Sequence, residues 1–330
     1  MNRPLRDLRI SVTDRCNFRC RYCMPKEVFG SDYAFLPRQE LLTFGEIIRL
    51  SKLFHQLGLQ KIRLTGGEPL LRKDLEVLVG MLRSALPDVE LALTTNASIL
   101  APRAAGLKEA GLDRVTVSLD ALDDEIFQAI NDVGFPVERV LDGIQTAEEA
   151  GFEETKINMV VKRGVNENEI LPMAAYFREK GHILRFIEYM DVGSTNNWQS
   201  EEVVPAKEIA QIVHQAFPLK PLEPNYRGEV ASRWKYRDGK GEIGLIASVT
   251  QPFCGDCTRL RLSAVGQLFT CLFATEGHDL RQLLRKDQTD QEILSFITSL
   301  WQARDDSYSE DRHQQKSSGD DKVEMHYIGG

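Results

Sequence analysis

Apolar and polar residues alternate with period two in a series of short runs along the chain. In Leu8-Arg-Ile-Ser-Val-Thr13 the apolar side chains take one face, and Arg9, Ser11 and Thr13 take the other. Lys61-Ile-Arg-Leu-Thr65 likewise sets Ile62 and Leu64 opposite Arg63 and Thr65. Runs at 89–95, 114–119, 155–161 and 183–189 read as four more strands, aligning Ala92 with Thr94, Thr116 with Ser118 and Asp120, and Lys156 with Asn158. Between the strands, residues 43–57, 73–86, 137–150 and 170–180 carry helical patterns. Gly58, Pro87, Gly151 and Gly181 punctuate them where helices should stop. Repeated β-α alternation implies a parallel sheet with helices outside. Six such units fall short of the eight that close an ordinary barrel. The predicted fold is therefore α/β: an open, partial (β/α)6 barrel over 1–190, followed by a C-terminal α+β extension over 191–330.

Helices must cover the apolar strand face, so the polar face lines the inside. Ordinary barrels fill that space with Val, Ile and Leu. A polar, cationic interior instead predicts a cavity built for a charged ligand. In the second half, 205–217 reads as a helix, 218–224 as a linker, and 226–249 as a hairpin turning at Asp238-Gly-Lys-Gly241.

Composition adds bounds. A chain of 330 residues with 42% hydrophobic content can fill a full core, and a net charge of −8 argues against a general nucleic-acid binder. The chain has no run of eighteen apolar residues, which argues against a membrane span. The start, Met1-Asn-Arg-Pro-Leu-Arg6, is too short and polar for a signal peptide, so a cytoplasmic protein with reduced thiols is expected.

The six cysteines fall into two triads. Cys16, Cys20 and Cys23 lie in a polar loop behind the first strand, with no fourth cysteine until Cys254. A tetrahedral zinc or a cubane iron–sulfur cluster normally draws four protein ligands. Three ligands on a 4Fe–4S cluster leave one iron free for a substrate or cofactor. A disulfide framework is a poor alternative in a large chain with so few cysteines. The second triad is Cys254, Cys257 and Cys271; a Cys3His zinc site completed by His278 competes there with a second cluster. Between these cysteines, Arg259 and Arg261 share one strand face, as anion recognition requires.

Two glycine motifs complete the inventory. Thr65-Gly-Gly-Glu-Pro69 follows the second strand, where bare backbone can approach a ligand. Residues 305–322 have the composition of a flexible segment, yet the chain ends Val323-Glu-Met-His-Tyr-Ile-Gly-Gly330. Apolar Met325, Tyr327 and Ile328 so near the end leave two readings open, an ordinary frayed terminus or Gly329 and Gly330 reaching into the barrel.

The C-x3-C-x2-C loop resembles the radical S-adenosylmethionine (SAM) signature, with Tyr22 before the last cysteine. Stretches 11–25, 63–71, 117–120, 185–193, 253–262 and 271–273, together with the final Gly-Gly, extend the likeness. Over nearly its whole length the chain resembles the GTP 3′,8-cyclases of molybdenum cofactor biosynthesis. That resemblance implies two 4Fe–4S clusters, one on Cys16, Cys20 and Cys23 and one on Cys254, Cys257 and Cys271. It implies SAM contacts from Tyr22, Gly67, Ser118 and Met190. GTP contacts would come from Arg9, Arg63, Thr94, Lys156, Arg259 and Arg261, with Arg259, Arg261, Gly329 and Gly330 in the catalytic site, which favours a tail that reaches into the barrel. In the implied reaction a 5′-deoxyadenosyl radical removes H3′ of GTP, and C3′ then attacks guanine C8. The resemblance also implies an external electron donor and a downstream pyranopterin synthase, without nucleic acid or membrane, and is compatible with a homodimer. Ala97 and Thr258 depart from the family's usual Gly and Asn, at positions expected to matter little. A peptide-modifying radical SAM enzyme would want a less cationic groove, and a zinc ribbon appended to the barrel would have no redox role.

Overall fold

The computed structural model describes residues 3–286, 288–315 and 322–329. All six predicted strands form: β1 (Asp7–Ser11), β2 (Lys61–Thr65), β3 (Glu90–Thr95), β4 (Arg114–Ser118), β5 (Lys156–Val161) and β6 (Ile183–Glu188). Helices Phe44–Gln56, Leu75–Ala85, Val137–Glu149 and Ile170–Lys180 lie between them, as the patterns predict. Local chemistry sets their ends. Thr43 and Glu46 form a reciprocal capping box at the start of the first helix, satisfying two orphan backbone donors. Gly181 closes the last with φ 75°, a left-handed conformation open to glycine at no steric cost.

The residues after 191 do not build a sheet of their own. They supply β7 (Leu219–Pro221), β8 (Ser232–Tyr236), β9 (Glu242–Ile246), β10 (Arg259–Leu262), β11 (Gln267–Phe269) and β12 (His278–Asp279). β8 and β9 form the expected hairpin, but β9 also pairs parallel to β6, and β10 pairs parallel to β1. The result is a twelve-stranded sheet in the order β12-β11-β10-β1-β2-β3-β4-β5-β6-β9-β8-β7. From β10 across to β9 every neighbouring pair is parallel. The order is linear, with β12 and β7 at its ends, so the barrel is left open.

Period two decides which side chains face the helices. Leu8, Ile10, Ile62, Leu64, Leu91, Leu93, Val115, Val117, Ile157 and Met159 are completely or almost completely buried in one continuous core with Leu50, Phe54, Leu78 and Leu82. Each such aliphatic side chain contributes about 1.5–3 kcal/mol by leaving water. No helix among the described residues is long and apolar enough to cross a membrane.

Four sequence expectations change here. Residues 218–224 are not a plain linker, because Leu219–Pro221 pairs antiparallel with β8 as strand β7. Ser11 and Thr13 do not line the interior: Ser11 Oγ donates to the Thr13 carbonyl at 3.2 Å, and both are buried, one at the end of β1 and the other in the loop that follows. Ala97 matters more than expected, because its φ is 59°, a left-handed conformation that costs an alanine about 1–2 kcal/mol. Within the polar stretch 305–322, Tyr308–Gln315 is a helix. Asp191 anchors it, accepting hydrogen bonds from Tyr308 Oη at 2.5 Å and Arg312 Nε at 2.9 Å. Lys322 Nζ reaches the same carboxylate at 2.8 Å, while 316–321 lie outside the described residues.

Candidate active site

The polar faces of the central strands line one cavity, enclosing about 2220 Å³ of empty space out to its open mouth. Register builds its charge. Arg261 stands opposite Arg9 and Arg9 opposite Arg63; one pleat away, Arg259 faces Asp7 and Asp7 faces Lys61. Arg114, Lys156 and Arg185 extend the cationic wall on β4, β5 and β6. Burial, then repulsion from Arg114, Arg185, Lys61 and Arg63, pushes the Lys156 ammonium down to about 7. Burial and the same kind of neighbour lower Arg185 to about 9 and Arg261 to about 10. Asp7 goes the other way: burial raises its carboxyl, but Arg9, Arg63 and Lys61 outweigh that and hold it below its ordinary value. Asp7 Oδ1, Asn158 Oδ1 and the Nε atoms of Arg9, Arg63 and Arg185 are buried without a hydrogen-bond partner. The three unsatisfied Nε donors and the clustered like charges suit a multiply charged anion, while the Asp7 and Asn158 oxygens call for donors.

The strand directions place the two cysteine triads at opposite ends of this wall. Cys16, Cys20 and Cys23 follow the C-terminal end of β1. Cys254 and Cys257 precede the N-terminal end of β10, which runs parallel to β1. Cys271 follows β11, whose antiparallel pairing returns it to that same end. All six cysteines are free, partly buried and line the cavity. Among the described residues, no group of three or more His, Cys, Asp or Glu converges as a single metal ion demands. A cubane binds each thiolate on a separate iron, so three cysteines hold it and leave one iron free. The Cys3His zinc site is not assembled: His278 is exposed on the outer strand β12, edge-on to the Phe296 ring.

Two family profiles match the chain: the radical SAM superfamily over residues 10–177 and Molybdenum Cofactor Synthesis C over 182–310. The GTP 3′,8-cyclase of Acidothermus cellulolyticus is 54% identical, covering 100% of this chain and 98% of its own length. That of Staphylococcus saprophyticus is 47% identical with the same coverage. The chain belongs to the GTP 3′,8-cyclases of the radical SAM superfamily. Its activity is the cyclisation of GTP in molybdenum cofactor biosynthesis, and its cofactors are SAM and 4Fe–4S clusters. Solved structures agree on the fold. Streptococcus suis SuiB bound to S-adenosylmethionine aligns with a TM-score of 0.60 at 14% identity, over 89% of this chain and 68% of that one. SuiB bound to its precursor peptide SuiA gives 0.61 at 15% identity, over 89% and 67%.

In this cyclase the first triad sits on a loop stapled by Arg19. Its Nη1 donates to the carbonyls of Cys16 and Phe18, each at 2.8 Å, and its Nε to Phe29 O at 2.6 Å. Cys16 Sγ accepts from Phe18 N at 3.4 Å and from Asn96 Nδ2 at 3.8 Å. Burial, then Glu68, pushes its thiol up to about 12, so without a metal it stays protonated. Gly67 lines the cavity and touches the cluster loop, its N–H donating to Thr13 O at 2.9 Å; a Cβ there would collide with the Arg15 carbonyl. Glu68 is fully buried and joins the loops after β2 and β3, accepting from Leu70 N, Thr95 Oγ1 and Asn96 N at 2.7–2.9 Å. Burial raises its carboxyl to about 7. Tyr22, Ser118 and Met190 line the same end, Tyr22 donating to Asp120 Oδ2 at 2.7 Å.

Every cysteine and every cation expected from the sequence therefore lines one cavity, as does Thr94, which accepts from Arg63 Nη1 at 2.9 Å. Gly329 is buried against Thr65, and Gly330 lies outside the described residues. Sequence reasoning passed over Asp7, Lys61 and Arg114, although each falls in phase with the polar residues of its strand, and over Arg185, whose neighbours in phase, Ile183 and Ile187, are apolar. It also passed over Arg304 and Asp306, which lie beyond the helix Asp290–Gln302 and carry no periodic signal.

Proposed function

We propose that GTP lies along the cationic wall between two 4Fe–4S clusters, one on each cysteine triad. The observation carrying this reading is the pair of three-cysteine loops at opposite ends of one arginine-lined cavity. When bound, the first cluster and SAM would supply a 5′-deoxyadenosyl radical able to take the hydrogen from C3′ of GTP; bonding of C3′ to guanine C8 would then be completed by one further electron, from the external donor, and a proton. The chain's own residues bind and orient. Arg9, Arg63, Arg259 and Arg261 offer planar guanidinium forks to phosphate oxygens, and Lys156 adds a compact charge. Tyr22, Gly67, Ser118 and Met190 frame SAM near the first triad. Met325 and His326 of the tail line the cavity and narrow water's access to it. An external electron donor and a downstream enzyme that consumes the cyclised nucleotide follow from this chemistry. Six free thiols suit the reducing cytoplasm.

Iron, sulfide and zinc counts on anaerobically purified protein test the reading. About eight irons per chain are expected from two four-iron clusters. Four irons with one zinc would remove the second cluster.

A further inference from the structure

Three sulfurs of the second triad sit in unequal surroundings. Cys257 Sγ accepts from two guanidiniums, Arg259 Nη2 at 3.2 Å and Arg304 Nη2 at 3.3 Å. The donor to Cys271 is a backbone amide, Phe273 N at 3.5 Å. In the first triad the donors to Cys16 are likewise neutral amides.

Arg304 is held for this contact. Asp306 grips it from the far side, accepting from Nε at 2.9 and 3.0 Å and from Nη2 at 2.8 Å. Arg3, also buried, braces Asp306 through an ion pair at 3.4 Å. The Arg304 guanidinium lies over the Trp301 ring at 4.7 Å, and its Nη1 donates to the carbonyls of Cys257 at 3.0 Å and Arg259 at 3.4 Å. One buried cation thus fixes both the backbone and the sulfur of Cys257. Arg259, by contrast, stands on the cavity wall beside Asp7, where substrate competes for it.

We propose that Arg304 is a positioning residue that raises the reduction potential of the second cluster through its hydrogen bond to the Cys257 sulfur. The proposal rests on the assignment of Cys254, Cys257 and Cys271 to that cluster. Reduction adds negative charge to the iron–sulfur core and its thiolates. A cation donating to a ligand sulfur in a buried setting stabilises the reduced state more than the oxidised one. In the first triad the Cys16 sulfur, with its neutral donors, has no such contact among the described residues.

The test is a potentiometric titration of the full chain with both clusters, followed by electron paramagnetic resonance, with iron counted in parallel. A variant with Cys16, Cys20 and Cys23 changed to Ala assigns which signal belongs to the second cluster. Arg304→Leu should lower that cluster's potential and leave the first unmoved. A tenfold loss in relative stability of the reduced state corresponds to about 59 mV for one electron. Arg304→Lys, retaining charge without the fork, should fall between wild type and Arg304→Leu. Should Arg304→Leu lose iron, Arg304→Lys and Asp306→Asn carry the test, each expected to lower the potential by less. A full complement of iron with an unmoved second potential overturns the role of Arg304 alone. Four irons and a zinc in the unaltered protein overturn the second cluster itself, and this proposal with it.

Discussion

Arg261 donates from Nη1 to the carbonyl of Gly329, tying a cation of the cavity wall to the last described residue of the chain. The tail is therefore part of the cavity's construction. Gly329 has φ 75° and leaves no room for a Cβ against the Thr65 side chain, so glycine is required twice over.

Gly329→Ala should retain the fold and both clusters while losing product. A displacement on the order of 1 Å at a reacting site costs about a hundredfold in rate, and a loss of that order is expected. Iron content and the circular dichroism spectrum should match wild type. Full turnover in this variant would return the tail to a passive terminus.

Cys20→Ser should abolish SAM cleavage, because the first cluster loses a ligand. Cys257→Ser should spare the first cluster and some uncoupled cleavage of SAM, yet eliminate the cyclised nucleotide. Chromatographic assay of 5′-deoxyadenosine and of cyclised GTP separates the two outcomes. Normal turnover by Cys257→Ser would detach the second triad from the substrate.

Arg259→Ala and Arg261→Ala should each remove one of the charge-assisted contacts proposed for the triphosphate. The loss is about 1.5–3 kcal/mol per contact, or roughly ten- to a hundredfold in Kd by equilibrium titration. Lysine at either position should restore only part of it, lacking the planar fork. Unchanged GTP affinity in both alanine variants would move the triphosphate elsewhere.

With GTP placed as proposed, Lys156 should make that binding sensitive to pH. Its ammonium is lowered to about 7 by burial and by its cationic neighbours. A bound triphosphate favours the charged form and raises that value again. Above pH 7 binding must then take up a proton, so affinity weakens as pH rises and is strongest below 7. Calorimetry in buffers of different ionisation enthalpy should show this uptake, and Lys156→Met should remove it. A proton uptake that persists in Lys156→Met would place the titration on another group.

Much of this site was legible because period two is a local property. One strand face carries Arg9, another Arg63, another Thr94 and another Lys156, and the pleat alone sends them all inward. The same rule applied further would have added Lys61 and Arg114, whereas Arg185 stands between Ile183 and Ile187 on its face and gives no such signal. Pairing across the chain is another matter: nothing in Arg259–Leu262 says that it will lie beside Asp7–Ser11. Arg304 is likewise silent in sequence, because its meaning is a distance to Cys257. The helix Tyr308–Gln315 contradicts its polar composition, since its stability comes from the buried carboxylate of Asp191 rather than from propensity.

The pairing of β1 with β10 also bears on how the enzyme is made. β1 acquires its outer neighbour only from Arg259–Leu262, so a nascent polypeptide carries an unpaired β1 edge until β10 has been made. Such an edge is a template for other chains, and closing it demands a long-range contact of the kind that slows folding. A chain released before residue 259 would keep that edge permanently, presenting it to its neighbours as an aggregation site.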